Sequence, residues 1–139
     1  MPIVQKTNDF FQQYQDLTND ELRNKTQEFR NRIKAHLAEI DAKIDERKQA
    51  AESLSDIDIH GRDAIYQEVD KLKKDRDKKI EEILAEIQPE AFAVVKETAR
   101  RFKENTEILA TATQLDRDFS VKKDYIKISG DQSVFKNSW

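Results

Sequence analysis

The chain has 139 residues, enough for one domain, and 38% of them are charged against 37% that are hydrophobic. Its 25 basic and 28 acidic side chains leave a formal charge of −3, which gives no overall field that would attract nucleic acid or an anionic membrane surface. No cysteine is present, so disulfides are excluded, and charges recur too often for a signal peptide or a membrane span. With two glycines, two prolines and many helix-favouring residues, the composition predicts a mainly α fold.

Residues 1–17 have the spacing of a short amphipathic helix. Apolar residues recur at helical intervals from Ile3 onward, and Pro2 suits the first turn because its missing N–H would have no partner there. The next helix has a clear start. Thr18 can accept a hydrogen bond from the N–H of Glu21, while Glu21 can reach back to the N–H of Thr18. These two residues are therefore the expected cap of a helix that begins at Thr18.

Residues 18–88 are predicted to form a long antiparallel helical hairpin with a turn near residues 53–61. The first half carries a narrow, coiled-coil-like apolar stripe, which consists of Leu22, Phe29, Ile33, Leu37, Ile40 and Ile44. A matching stripe in the second half consists of Ile65, Val69, Leu72, Ile80, Ile83 and Ile87, with Arg76 interrupting it. Each apolar stripe has to be buried against a partner, so the two helices are expected to pack against each other. An exchange of helices between two chains would bury a similar area, which leaves the oligomeric state open.

Pro89 is predicted to start a further helix over residues 89–104, because the residue before a proline disfavours the helical conformation and proline suits a first turn. One face of this helix is apolar and wider than the hairpin stripe, so it requires a larger covering surface. The residues of this face are Phe92, Val95, Ala99 and Phe102. Residues 105–139 are predicted to be irregular apart from a small β-hairpin, in which residues 125–128 and 134–136 flank a Ser-Gly-Asp-Gln turn.

One acidic segment, residues 56–61, has the two aspartates and the glycine of the first half of an EF-hand calcium loop. The second half of such a loop is missing. Asp63 stands where an apolar residue is needed, and Gln67 stands where the bidentate glutamate is needed. The segment is better interpreted as a helix-hairpin turn that is capped by Ser55 or Asp58.

No catalytic, cofactor-binding or metal-binding residue is predicted within the chain. The two histidines, His36 and His60, lie on separate elements, and no cysteine could complete a zinc site. The basic run in residues 71–79 is interleaved with acids and has no aromatic residue to stack on a base, which argues against nucleic-acid binding. The chain also lacks a G-x-x-x-x-G-K-[ST] loop that could hold the phosphates of ATP.

Two segments resemble the beginning of the SecA family. Residues 17–29 read L-T-N-D-E-L-R-N-K-T-Q-E-F, similar to the family's L-[ST]-[ND]-x-E-L-x-x-K-T-x-E-[FL]. Residues 89–101 read P-E-A-F-A-V-V-K-E-T-A-R-R, similar to the family's P-E-A-F-A-V-V-[RK]-E-[AT]-[AS]-x-R. The order of the two motifs indicates a fragment from near the N-terminus of a SecA subunit. The long spacer, residues 30–88, indicates a branch with an inserted helical hairpin, and residues 103–139 look like a second insertion.

SecA is the ATPase that drives preproteins through the SecYEG channel, so the resemblance implies a parent protein that binds ATP and Mg²⁺ through residues beyond Trp139. This chain would be a non-catalytic scaffold of that motor. The resemblance implies that Phe92, Val95, Ala99 and Phe102 dock the helix of residues 89–104 on the first motor domain. It also implies a cytoplasmic parent, peripherally associated with the inner membrane, with SecYEG and preproteins as partners and a homodimer as an option. The basic N-terminal leader of the family is mostly missing here, so lipid contact is not expected from it.

Two alternatives remain open. A free-standing coiled-coil adaptor would bury Phe92, Val95 and Trp139 by itself, whereas a fragment of a motor would leave them exposed. A helical domain that binds nucleic acid would show strong, salt-dependent binding to single or double strands.

Overall fold

The computed structural model of the chain describes residues 2–54 and 58–137. Ser55, Asp56 and Ile57 lie outside the described residues, and with them part of the segment compared with a calcium loop; Trp139 lies outside as well. The elements in chain order are α1 Ile3–Tyr14, α2 Asn19–Ser53, α3 Ile59–Glu104, β1 Glu107–Thr111, α4 Gln114–Ser120, β2 Ile126–Ser129 and β3 Gln132–Lys136. The predicted mainly α class, with long helices and a small C-terminal β structure, is therefore confirmed.

The chain divides into two compact units. Unit 1 consists of Met1–Thr26 and Gln88–Trp139, and unit 2 consists of Gln27–Ile87. Both α2 and α3 contribute residues to each unit. Each of the two units has its own apolar core.

Unit 2 is the antiparallel hairpin of α2 and α3. Ion pairs join the two helices at Arg32–Glu86 (2.7 Å), Asp41–Arg76 (2.5 Å) and Arg47–Glu68 (3.2 Å). Residue numbers rise along α2 while their partners' numbers fall along α3, which is the register of antiparallel helices. The core between them consists of Leu37, Ile40, Ile44 and Val69, with Ile33, Leu72 and Ile80 packed against it. The predicted hairpin is confirmed, and its core uses the predicted stripes.

The turn of the hairpin ends with a capped helix start. Asp58 Oδ1 accepts a hydrogen bond from the N–H of Gly61 at 3.0 Å, in the first turn of α3. A Cβ atom at Gly61 would lie 2.5 Å from Asp58 Oδ2, so the glycine leaves room for the capping carboxylate. Ser55, the other cap considered for this turn, lies outside the described residues.

The prediction that Pro89 begins a separate helix is wrong, because α3 runs without a break through Pro89 to Glu104. A proline inside a helix loses one backbone hydrogen bond and costs about 3 kcal/mol. The burial of apolar residues before and after Pro89 in the chain offsets this cost. Ile83 and Ile87 are buried in unit 2, while Pro89 and Ala93 are buried in unit 1. Tertiary packing overrides the local signal here.

The core of unit 1 joins α1 to the beginning of α2 and to the last part of α3. Its buried residues are Tyr14, Leu22 and Ala93, with Phe10, Phe11, Leu17 and Val94 packed against them. Leu22 was expected at the start of the hairpin stripe, but it belongs to this cluster. Before it, the N–H of Glu21 donates to Thr18 Oγ1 (3.1 Å) and the N–H of Thr18 donates to Glu21 Oε2 (2.8 Å), which is the geometry of a capping box.

A three-stranded antiparallel sheet completes unit 1, with the strand order β1-β3-β2. The hairpin of β2 and β3 matches the predicted one. Gly130 has a φ of 64° at the first position of the two-residue loop between them, as type II′ turns require. Neither β1 nor α4 was expected in this segment. A capping box between Thr113 and Asp116 starts α4.

The outer edge of β1 is closed by side chains from the first turn of α2. Asn19 Nδ2 donates to Leu109 O at 2.9 Å, and Asp20 accepts from both the N–H and the hydroxyl of Thr111 at 2.7 Å each. These two bonds, the one from the hydroxyl foremost, lower the pKa of Asp20. These bonds therefore occupy backbone groups of β1 that could otherwise pair with another strand.

Candidate docking face on α3

The four residues predicted to dock lie at helical spacing along one face of α3, here called the docking face: Phe92, Val95, Ala99 and Phe102. Phe92 is 53% exposed and Val95 is 66% exposed. Ala99 is also exposed, while Phe102 is half-buried. The structure therefore brings the predicted set together, and it leaves three of the four open to solvent within unit 1.

An open groove borders the docking face on one side. It has a volume of about 510 Å³, and its lining includes Val95, Ala99, Phe102 and Lys103. A second cavity of about 350 Å³ reaches Phe102 from the sheet, where Ile108 and Phe135 line it. Phe102 lines both cavities, so this side of α3 offers a recess as well as a face to a large apolar side chain.

The opposite face of α3 is tied down by a buried ion network that sequence reasoning missed. Glu97 is 0% exposed. Its carboxylate accepts hydrogen bonds from Arg100 Nε (2.8 Å) and Nη2 (2.7 Å) and from Arg101 Nε (2.8 Å). The bonds from Arg100 foremost, and those from Arg101 after them, lower the pKa of Glu97 against the opposing effect of burial. The Glu-x-x-Arg-Arg spacing was the available signal, although such spacing usually marks surface pairs.

Arg101 carries this network to the connection between α1 and α2. Its Nη2 donates to Tyr14 O (3.0 Å) and Leu17 O (2.6 Å), and its Nη1 donates to Asn19 Oδ1 (2.7 Å). One guanidinium group therefore binds two backbone carbonyls of the segment that leads from α1 to α2. Since Arg101 and Glu97 fix this side of α3 inward, the docking face is held outward.

A second buried ion pair anchors the sheet to α2. Both Nη atoms of Arg23 lie 2.7 Å from the carboxylate oxygens of Asp116, a bidentate geometry. Asp116 also accepts from the Thr113 N–H at 3.0 Å, and Ser133 Oγ lies 3.2 Å from it. The Arg23 guanidinium is the main cause that holds the pKa of Asp116 well below its usual range. No local pattern in the sequence indicates this contact, which joins residues 93 positions apart.

The described residues show no reactive constellation. In residues 2–54 and 58–137, no three acidic or histidine side chains are grouped so that they could hold a metal ion. His36 lies 3.7 Å from Glu82, and His60 lies in the first turn of α3, so the two histidines occupy different places in unit 2. None of the described helices is long and apolar enough to cross a membrane. Apolar binding is the chemistry that the docking face offers.

Among known proteins, the chain is similar to protein translocase subunits named SecA. It is 46% identical to that of Flavobacterium psychrophilum over 138 residues, 40% to that of Parabacteroides distasonis and 37% to that of Amoebophilus asiaticus. Each match covers 99% of this chain and 12% of the relative, so the chain spans about an eighth of the length of these relatives. No family model and no solved structure matches the chain. The resemblance seen in residues 17–29 and 89–101 is therefore confirmed along nearly the whole chain, which corresponds to a segment of the SecA family of translocase subunits.

Proposed function

We propose that the chain is a non-catalytic N-terminal scaffold of a SecA-like, ATP-driven motor for preprotein translocation through the SecYEG channel. Its docking face would pack on the nucleotide-binding part of that motor. The observation that carries the proposal is the exposure of Phe92 (53%) and Val95 (66%) in a chain that is similar to one segment of much longer translocase subunits. Full burial of such side chains yields roughly 1.5–3 kcal/mol each. A face of this kind is typical of an interaction surface.

The alternative function, a free-standing coiled-coil adaptor, requires the chain to cover the docking face by itself. Phe92 and Val95 are exposed within unit 1, which favours the motor fragment over the adaptor. Trp139, the third residue that would distinguish the two, lies outside the described residues.

In this proposal the chain contributes structure and no chemistry. It contains no G-x-x-x-x-G-K-[ST] loop, so ATP and Mg²⁺ would be held by the remaining part of a SecA subunit. We propose further that the parent acts on the cytoplasmic side of the inner membrane, as a peripheral protein. Preproteins and SecYEG would be its partners, and the hairpin of unit 2 would be available for a partner or for a second protomer.

The proposal is tested by reconstitution from two pieces. The 139-residue chain is mixed with Flavobacterium psychrophilum SecA from which the matched segment has been deleted, and binding and ATP hydrolysis are measured. We expect a complex that Val95→Glu weakens about tenfold or more, because a carboxylate without a partner is costly to bury. Ile59→Glu is the matched control, since Ile59 is an exposed apolar residue of the same helix but lies in unit 2.

Two results would contradict the proposal. One is a failure of the chain to bind the remaining subunit; the other is equal binding by Val95→Glu and the unmodified chain. A hydrophobic dye added to the chain alone gives a second measurement. The motor fragment should bind the dye through its docking face and lose part of the signal in Val95→Glu, whereas a self-contained adaptor should show no such loss.

A further inference from the structure

A second surface of unit 1 combines exposed apolar side chains with unpaired lysines. It lies at the turn between α4 and β2 and is called the lysine turn here. Val121, at its centre, is 86% exposed, and Leu115, Phe119 and Tyr125 are exposed nearby. None of these residues belongs to the docking face. Four large exposed apolar residues within such a short stretch exceed the scattered exposure that is usual for a surface.

The lysine turn borders an open groove of about 800 Å³. Its charged lining residues are Lys122, Lys123, Asp124, Lys127 and Lys136, a local formal charge of +3 on a chain whose net charge is −3. Within the described part of the chain, the ammonium groups of these four lysines form no ion pair or side-chain hydrogen bond. Other lysines do find partners, as Lys43 does with Glu39 at 2.7 Å.

Backbone hydrogen bonds hold the lysine turn in place. The N–H groups of Lys122 and Lys123 both donate to Phe119 O at 2.9 Å, and the Lys136 N–H donates to Tyr125 O at 2.8 Å. Arg117 Nη2 donates to Gly130 O at 3.2 Å, which joins α4 to the hairpin loop. The backbone that carries the lysines is thus ordered before any partner arrives, which reduces the backbone entropy lost on binding.

We propose that the lysine turn binds an acidic protein segment that also carries apolar side chains. Its carboxylates would pair with Lys122, Lys123 and Lys127, and its apolar side chains would cover Val121 and Phe119. Charge complementarity of this kind steers association and selects the partner. The proposal does not depend on the docking face, so either of the two can fail alone.

The surroundings favour a protein segment over a nucleic acid or a lipid surface. Phe119 and Tyr125 could stack on bases, but the two most exposed apolar residues of the surface, Val121 (86%) and Leu115 (59%), are aliphatic and could not. Asp118 and Asp124 are interleaved with the basic residues, so they would repel a continuous row of phosphates. A peptide can avoid both acids by the spacing of its own carboxylates.

The experiment measures fluorescence anisotropy of a short labelled peptide rich in glutamate and phenylalanine, titrated with the 139-residue chain. Two control peptides replace every glutamate by glutamine or every phenylalanine by serine. We expect binding that weakens with salt and falls about tenfold or more in Lys122→Glu/Lys123→Glu. Lys73→Glu/Lys74→Glu is the matched control, because these lysines are exposed on α3 in unit 2 and should not matter.

The apolar part of the proposal has its own variant. Val121→Ser keeps every charge, and it should weaken the phenylalanine-containing peptide several-fold while it leaves the serine peptide unaffected. Circular dichroism checks that each variant stays folded. Equal binding of the glutamate and glutamine peptides would overturn the proposal. Tighter binding of a single-stranded oligonucleotide or of phosphatidylglycerol vesicles would also overturn it, since the partner would then not be a protein.

Discussion

The two units of this chain are stabilised by different means. Unit 2 buries an aliphatic core and leaves its ion pairs in solvent, as shown by Asp41, whose side chain is 45% exposed. Unit 1 also buries an apolar cluster, but it places carboxylates inside, since the Asp116 side chain is only 5% exposed and Glu97 is fully buried. Arg23 and Arg76 are each 36% exposed, so the exposure of the carboxylate partner is what differs. The comparison shows that arginine–carboxylate contacts of similar geometry contribute unequally to stability, according to whether the carboxylate is buried.

The same substitution in both units gives the largest expected difference. Arg23→Met should lower the free energy of unfolding of unit 1 by about 3–5 kcal/mol, because it leaves the Asp116 charge buried without its partner. Arg76→Met should have a much smaller effect on unit 2, because Asp41 stays in contact with water. Urea unfolding followed by hydrogen exchange, resolved along the chain, measures each unit separately.

Equal losses of unfolding free energy in Arg23→Met and Arg76→Met would contradict the distinction between the two units. Arg23→Met/Asp116→Asn is the control that separates the buried charge from lost packing. If the buried charge is the cause, removing it should recover part of the stability lost in Arg23→Met.

Acidification should weaken unit 1 before unit 2. Glu97 and Asp116 have a lowered pKa in the folded chain, so they stabilise it at neutral pH. This contribution is complete above the carboxyl pKa values of the unfolded chain, about 4, and is lost as the pH falls from there through the lower pKa values of the folded chain. In unit 2 the pKa of Glu39 is lowered by Lys43. Because this carboxylate is exposed, its protonation should affect the stability of unit 2 little.

Hydrogen exchange recorded between pH 5 and pH 3, corrected for the intrinsic rates, tests this order of opening. Amides of β1, β3 and the end of α3 should lose protection before those of the hairpin. Earlier opening of unit 2 would contradict the role assigned to the buried carboxylates. In Asp116→Asn the pH dependence of unit 1 should be smaller.

The smallest expected effect compares the two glycines. Gly130→Ala should destabilise unit 1 by about 1 kcal/mol, because its φ of 64° is unfavourable for alanine. Gly61→Ala should change unit 2 by less than about 0.5 kcal/mol, since the gain in helix propensity offsets the displacement of the Asp58 cap. Thermal unfolding of both variants measures this difference. A larger loss in Gly61→Ala would mean that the Asp58 cap is the more important feature.

Regular patterns made much of the fold predictable. The apolar stripes indicate the hairpin because each repeats at helical spacing, and the helix start follows from the Thr18–Glu21 pair. Gly130, between β-branched segments, indicates the hairpin of β2 and β3. A comparable pair, Thr113 and Asp116, starts α4 and could have been recognised by the same rule. The strand β1 could not have been recognised in this way, because it pairs with β3, which lies more than twenty residues later in the chain.

The docking face was predictable as a set of residues, but its orientation was not. Helical spacing alone groups Phe92, Val95 and Ala99 on one side of α3. Their outward position depends on Glu97 and Arg101, which look like ordinary surface residues in the sequence. Burial of that pair requires the carbonyl groups at the end of α1, and no local pattern shows where these groups lie.

The division of the chain also determines when each unit can form during synthesis. Unit 2 is continuous, so the ribosome delivers all of it before residue 88 is made. Unit 1 is split around it, and Arg23 has to wait for Asp116, which is translated 93 residues later. Until Ala93 and Val94 are made, α1 lacks the part of α3 that covers it, and Phe10, Phe11 and Tyr14 stay open to other proteins. The nascent chain therefore passes through a stage in which the hairpin is complete while α1 still lacks its partner in α3.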